Sequence, residues 1–169
     1  MKSARGKPCR TRQRRGQSNT LRAAKGPRFG PRQLRLLRRT FARLEQQTGI
    51  TGLAFYRNLF NLDPALRPLF QTSIDRQARK LMESLAYTIA TLEDPEALIP
   101  VLHSLGRRHA TYGVRDQHYD TVVEALLATF AGTLGPAFSR EARLALEQAL
   151  GFVARVMKEG AAQTSLLKS

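Results

Sequence analysis

From residue 31 onward the apolar positions of this chain recur every three or four residues. The first stretch carries Leu34, Leu37, Phe41 and Leu44, a spacing that places side chains on one face of an α-helix. No stretch alternates apolar and polar residues long enough to predict a β-strand. The pattern predicts six or seven helices: 31–47, 50–62, a short helix or turn to 70, 75–92, 96–113, 116–134 and 139–158.

Residues that break or cap helices separate these segments. Gly49 and Gly52 predict a break after the first helix. Pro95 follows two acidic residues, a natural helix start, and Gly113 suits a helix end. Ser139 is a candidate N-cap for the last helix. Short connections and no internal repeat predict an all-α domain packed around one core.

The net charge of +15 is concentrated at one end of the chain. The length of 169 residues, 42% of them apolar, suits one packed domain. Residues 1–44 hold 15 of the 28 Lys and Arg and no acidic residue, while the other 125 residues hold 13 basic and 13 acidic residues. The body is therefore neutral, and its charge does not indicate a nucleic-acid-binding domain.

Residues 1–30 are rich in Arg, Gly and Pro and poor in large apolar residues. Such a segment buries too little surface to offset the entropy of ordering, so we expect a disordered basic extension. A folded domain over 31–160 and a short tail over 161–169 complete the predicted organisation. The extension is an arm for an anionic partner (nucleic acid or acidic lipid), a targeting peptide, or a tail with no specific partner.

Cysteine content and hydropathy narrow the classes further. Cys9 is the single cysteine, so no intrachain disulfide can form, and a reducing compartment fits. The chain contains no Cys/His cluster of the kind that binds structural zinc. It also contains no apolar run of 18 residues, so no transmembrane segment is predicted. We expect a cytoplasmic protein.

One histidine lies on the apolar face of a predicted helix. His109 follows Leu105 by four residues and Leu102 by seven. A lone histidine in that position is most often a core residue with its ring nitrogens satisfied, and otherwise a pH-sensitive or metal-binding group. His103 and His118 fall off the apolar face, and we expect ordinary surface or near-surface roles for them.

Five motifs in order give the chain a family resemblance. FYRNLF, DPALRPLF, RQARKLM, LGRRHATYGV and HYDTVVEALL together resemble the globins. The resemblance is strongest to bacterial single-domain haemoglobins and the globin domain of flavohaemoglobins, with LGRRH and LGPAF similar to neuroglobin. It covers about residues 31–158 and implies a globin fold around one haem b (iron protoporphyrin IX).

The resemblance assigns roles to individual residues. His109 matches the proximal ligand, which binds iron through Nε2, and its Nδ1–H would then need an acceptor such as the Leu105 carbonyl. Tyr56, Gln77 and Leu81 match the distal side, where a hydroxyl and an amide donate to bound oxygen. Four further residues match haem contacts: Phe70, Val114, Tyr119 and Val122. Lys80 matches a position at the pocket mouth, where it would face a haem propionate.

The implied function is reversible oxygen binding, for storage or delivery. The alternatives are nitric oxide detoxification of the dioxygenase type, with electrons from an external reductase, and haem-based sensing of a gas such as O2, NO or CO. Flavohaemoglobins carry a glutamate that polarises the proximal histidine, at a position matching Ala161. Glu159 is two residues away, about 200° around a helix, so we do not expect Glu159 to play that role.

Overall fold

Six α-helices account for most of the chain in the computed structural model, which describes residues 29–166. Their bounds are α1 Pro31–Glu45, α2 Thr48–Leu62, α3 Ile74–Thr91, α4 Pro95–Thr111, α5 Asp116–Leu134 and α6 Arg140–Leu166. Short 3-10 helices at Pro64–Leu69 and Gly135–Ala137 join α2 to α3 and α5 to α6. No strand occurs between residues 29 and 166, so the all-α prediction is confirmed for this range.

The predicted helix signals act as expected. The Asp94 carboxylate accepts a hydrogen bond from the Ala97 N–H at 3.1 Å, with Pro95 as the first residue of α4. The Ser139 hydroxyl accepts from the Ala142 N–H at 3.1 Å and caps α6. Gly113, just past the end of α4, has φ of 84°, which favours glycine. These three local predictions are confirmed.

The glycines near residue 50 differ from prediction. Gly49 and Gly52 lie inside α2, and the break falls at residues 46–47, so the predicted break at these glycines is wrong. A Cβ on Gly52 would lie 2.6 Å from the Cβ of Ala78. Gly52 therefore permits a close crossing of α2 and α3, a tertiary reason for a glycine within a helix.

Both ends of the folded body extend beyond the predicted limits. Phe29 is buried and its ring lies 6.5 Å from that of Phe152, and the Gly30 N–H donates to Oε1 of Gln33 at 3.0 Å. At the other end α6 continues past Lys158 to Leu166, so most of the predicted tail is helical. Residues 1–28, which include Cys9 and nearly all of the predicted extension, lie outside the described residues, as do 167–169.

The helices pack unevenly around the core. α4 packs most extensively on α6, and α2 packs on α3 and α5. By contrast, α3 and α4 contact each other over only a small area. A crevice therefore separates the helices that carry Gln77 and His109. Within residues 29–166, no helix combines the length and apolar character needed to cross a membrane.

Candidate functional site

The His109 ring is held in one orientation by its own helix. Nδ1 lies 2.9 Å from the carbonyl oxygen of Leu105, one turn back on α4. Burial lowers the pKa of His109; the bond to the Leu105 carbonyl opposes that shift, and the charge of Arg108 adds to it. The imidazole is therefore neutral, Nδ1–H donates, and Nε2 keeps a free lone pair. The predicted bond to Leu105 is confirmed.

Two glycines fix α4 against α6 close to His109. A Cβ on Gly106 would overlap the backbone carbonyl of Met157, and a Cβ on Gly160 would overlap the carbonyl of His103. The backbones approach so closely that neither position has room for a side chain. Gly106 lies three residues before His109, so this crossing sets where the imidazole sits.

Tyr119 stands beside His109 on α5. Their ring centroids are 6.3 Å apart, with planes inclined by 31°. The Tyr119 hydroxyl is buried and has no hydrogen-bond partner among residues 29–166. Burial, and secondarily the charge of Asp116, raises the pKa of Tyr119, so its hydroxyl stays protonated. An unpaired buried hydroxyl costs free energy, and its presence beside the candidate ligand suggests a functional role.

Tyr56 supplies a second buried phenol, on α2. Its side chain is 5% exposed, and its ring lies 5.2 Å from Phe70 and 5.8 Å from Phe60. Burial raises the pKa of Tyr56 to about 12, so the hydroxyl is a donor throughout the physiological range. It donates no hydrogen bond to any residue in the described part of the chain. Phe60 was not predicted as a site residue, because its sequence position resembles any core aromatic.

The α3 side chains predicted for the distal side are less deeply placed. The Gln77 amide donates from Nε2 to Oγ1 of Thr72 at 2.6 Å, so this donor is engaged by the preceding loop. Leu81 is half-buried against the core, and Lys80 is exposed. The Thr72 contact was not predicted, since nothing in the sequence shows that this loop folds back over α3.

The remaining predicted contacts share a common burial state. Each is apolar, half-buried and packed on the edge of the core rather than inside it: Phe70, Leu105, Val114 and Val122. A groove of about 570 Å³ lies between α3 and α4, with Tyr87 and Thr88 on one wall and Leu102 and Leu105 on the other. The donor set itself, a neutral imidazole with a free Nε2 and protonated phenols packed among apolar side chains, is of the kind that fits a haem group.

The other histidines and Glu159 have local roles. His103 Nε2 lies 3.6 Å from Oε2 of Glu159, beyond hydrogen-bond distance, and Glu159 also pairs with Arg155 at 2.9 Å. His118 Nδ1 accepts from the Arg115 N–H at 3.1 Å at the start of α5. Neither histidine joins His109. Glu159 is paired with Arg155, and that it does not polarise the proximal histidine stays a prediction.

Several known proteins are similar to this chain in sequence. The chain is 33% identical to a flavohemoprotein of Rhizobium meliloti over 61% of its length, and 34% identical to one of Chromobacterium violaceum over 64%. It spans only 26% and 28% of those two proteins. It is also 30% identical to neuroglobin of Danio rerio, over 70% of this chain and 83% of that protein.

The fold has a solved counterpart. The structure is similar to RmaNOD of Rhodothermus marinus, an engineered carbene transferase built on a proposed nitric oxide dioxygenase. The TM-score is 0.74 at 26% identity, and the match covers 83% of this chain and 99% of the other. The globin family model matches residues 53–157, which include all of α3, α4 and α5. The chain therefore belongs to the globin family.

Proposed function

We propose that this globin holds haem b through His109 and binds oxygen reversibly, for storage or delivery. Haem supplies an iron that takes up diatomic gases such as oxygen, nitric oxide and carbon monoxide. The observation that carries the proposal is the state of His109. Its Nδ1–H is committed to the Leu105 carbonyl at 2.9 Å, which leaves Nε2 as the donor atom and fixes the ring, as ligating histidines require.

Tyr56 is the group best suited to hold a gas ligand. Its hydroxyl is protonated because burial raises its pKa to about 12, and it has no partner among the described residues. In an apolar pocket one such hydrogen bond contributes about 1 kcal/mol net. Gln77 can add a second only by releasing Thr72. We therefore assign Tyr56 the larger share of ligand stabilisation.

A second candidate function is nitric oxide dioxygenation with electrons from a separate reductase. Tyr119 favours it, since a buried hydroxyl without a partner in residues 29–166 lies beside His109 and can tune the histidine. The flavohemoprotein relatives are compatible with it. The two functions are separated by an assay with nitric oxide, oxygen, a purified reductase and reduced nicotinamide. The assay measures how much nitrate is formed per haem. A carrier would form nitrate no faster than free haem under continued reduction.

The first experiment is an absorption spectrum of the purified, haem-loaded protein in ferric, deoxygenated ferrous, oxygen-exposed and carbon monoxide-exposed samples. We expect an intense Soret band that shifts with each gas and returns when the gas is removed. The proposal would be contradicted if the protein is supplied with haem, is helical and folded as judged by circular dichroism, and still shows no gas-dependent shift of the Soret band. His109 would then be a core histidine.

A further inference from the structure

The outward face of α1 carries a stripe of arginines. At 100° per residue, Arg32, Arg35, Arg39 and Arg43 fall within about 80° of arc on the helix. The buried residues of α1 occupy the opposite side: Leu34, Leu37, Thr40, Phe41 and Leu44. We call these four arginines the α1 stripe. It is about 16 Å long and faces away from the core.

The carboxylates in the described part of the chain leave much of this stripe free. Arg35 and Arg39 are exposed and form no ion pair with residues 29–166. Arg32 pairs with Glu141 at 3.0 Å, but the two side chains are 80% and 65% exposed. Such exposed pairs contribute little, so a phosphate can replace the carboxylate at small cost. The stripe is thus available to a polyanion.

The stripe continues a basic segment of the sequence. Ten further Lys and Arg lie within residues 1–28, and the first acidic residue of the chain is Glu45. Twelve of the 15 basic residues before Glu45 are arginines, whose planar guanidinium binds phosphate through two parallel hydrogen bonds. We propose that the α1 stripe forms a nucleic-acid-binding surface that recognises the phosphate backbone.

The residue chemistry favours a nucleic acid over a lipid membrane. No large apolar side chain of α1 is exposed, and residues 1–28 contain only Met1 and Leu21 as large apolar residues. Stable membrane attachment requires apolar insertion or a lipid anchor in addition to charge. A nucleic acid supplies a dense, regular row of phosphates, and releasing its counterions drives binding by charge alone.

The test measures binding of the full-length, haem-loaded protein to fluorescent DNA and RNA oligonucleotides, single-stranded and duplex, by anisotropy from roughly 50 to 200 mM salt. We expect little sequence preference and an affinity that falls steeply with salt. The double variant Arg35→Gln, Arg39→Gln should bind more weakly. On duplex DNA its plot of log affinity against log salt should be shallower by roughly 0.9 for each phosphate that the variant no longer neutralises.

The matched control is Arg57→Gln, Arg79→Gln, which removes two exposed arginines from α2 and α3 and makes the same change in net charge. Equal weakening in both variants would overturn the role of the stripe, because only overall charge would matter. No oligonucleotide binding, with binding to vesicles of phosphatidylserine and phosphatidylcholine, would overturn the choice of partner. Gas-binding spectra should be unchanged in both variants, so this proposal and the oxygen-binding proposal fail independently.

Discussion

At the scale of single residues, the chemistry rests on three rings with different protonation requirements. His109 is neutral because burial lowers its pKa, and its Nδ1–H is committed to Leu105. Tyr56 and Tyr119 are protonated because burial raises the pKa of each phenol. The three rings therefore offer one free lone pair and two hydroxyl groups, and none of the three is itself charged. Uncharged groups suit a pocket with apolar walls, where an unpaired charge would be costly.

Removing the His109 imidazole tests the ligand assignment. We expect His109→Ala to lose haem or to bind it far more weakly, because no other histidine adjoins the site. Added imidazole should restore a ligand-dependent Soret band by filling the vacated space. His118→Ala is the control, since His118 only caps α5, and it should retain haem. Retention of a normal spectrum by His109→Ala without imidazole would remove His109 from the iron.

The Tyr56 hydroxyl should slow the escape of oxygen. We expect Tyr56→Phe to raise the oxygen dissociation rate by a factor of about five, equivalent to about 1 kcal/mol for one hydrogen bond. Gln77→Leu should have the smaller effect because its amide is engaged by Thr72. Stopped-flow measurement of both variants, with Tyr112→Phe at an exposed tyrosine just past the end of α4 as a control, decides the order. A larger effect of Gln77→Leu would reverse the assignment.

At the scale of helices, the crossing of α4 on α6 determines where the proximal ligand sits. Gly106 and Gly160 lie where the two backbones touch. A mid-helix glycine normally costs about 1 kcal/mol relative to alanine, so both glycines carry an intrinsic penalty. The close packing they permit is extensive and offsets it. The same reasoning explains Gly52 at the crossing of α2 and α3.

A matched pair of glycine substitutions tests this crossing. Gly106→Ala should lower the free energy of unfolding by roughly 1–3 kcal/mol, since the new methyl group forces α4 and α6 apart. It should also weaken haem retention. Gly151→Ala, also on α6 but with nothing within 4 Å of the added Cβ, should stabilise by up to about 1 kcal/mol. Denaturant unfolding of both variants measures the difference, and stabilisation by both would show that α4 and α6 are not in close contact.

At the scale of the whole molecule, the weak point is the limited contact between α3 and α4. All six helices contribute residues to the buried core, but a groove separates α3 from α4, with Leu105 on one of its walls. A group that fills the crevice would bridge them. The chain therefore packs α4 on α6 and α2 on α5 by itself, but it leaves the groove between α3 and α4 unfilled.

Haem removal should affect these parts unequally. We expect the haem-free protein to melt at a lower temperature, because a tight ligand present at 1,000 times its Kd stabilises by about 4.1 kcal/mol. Amide hydrogen exchange should accelerate most in α3 and α4 and least in α5 and α6. Exchange that rises equally in all helices would show that haem stabilises the molecule globally without bridging the crevice.

Local patterns in the sequence account for most of the fold and part of the site. The spacing of apolar residues predicts the helices, and Asp94, Gly113 and Ser139 act within a few residues of their own positions, so their roles can be inferred locally. The bond from His109 to Leu105 is also local, because it spans one helical turn. The resemblance to globins then identifies which histidine and which tyrosine to consider.

Contacts between distant segments could be seen only in the tertiary structure. Gly52, Gly106 and Gly160 are glycines because of helices that cross them, and a sequence read locally takes a mid-chain glycine for a break. The engagement of Gln77 by Thr72, and the lack of a partner for the Tyr119 hydroxyl within residues 29–166, likewise depend on how the chain is packed. Periodicity specifies which face of a helix is buried; the backbone of another helix decides how closely that face can be approached.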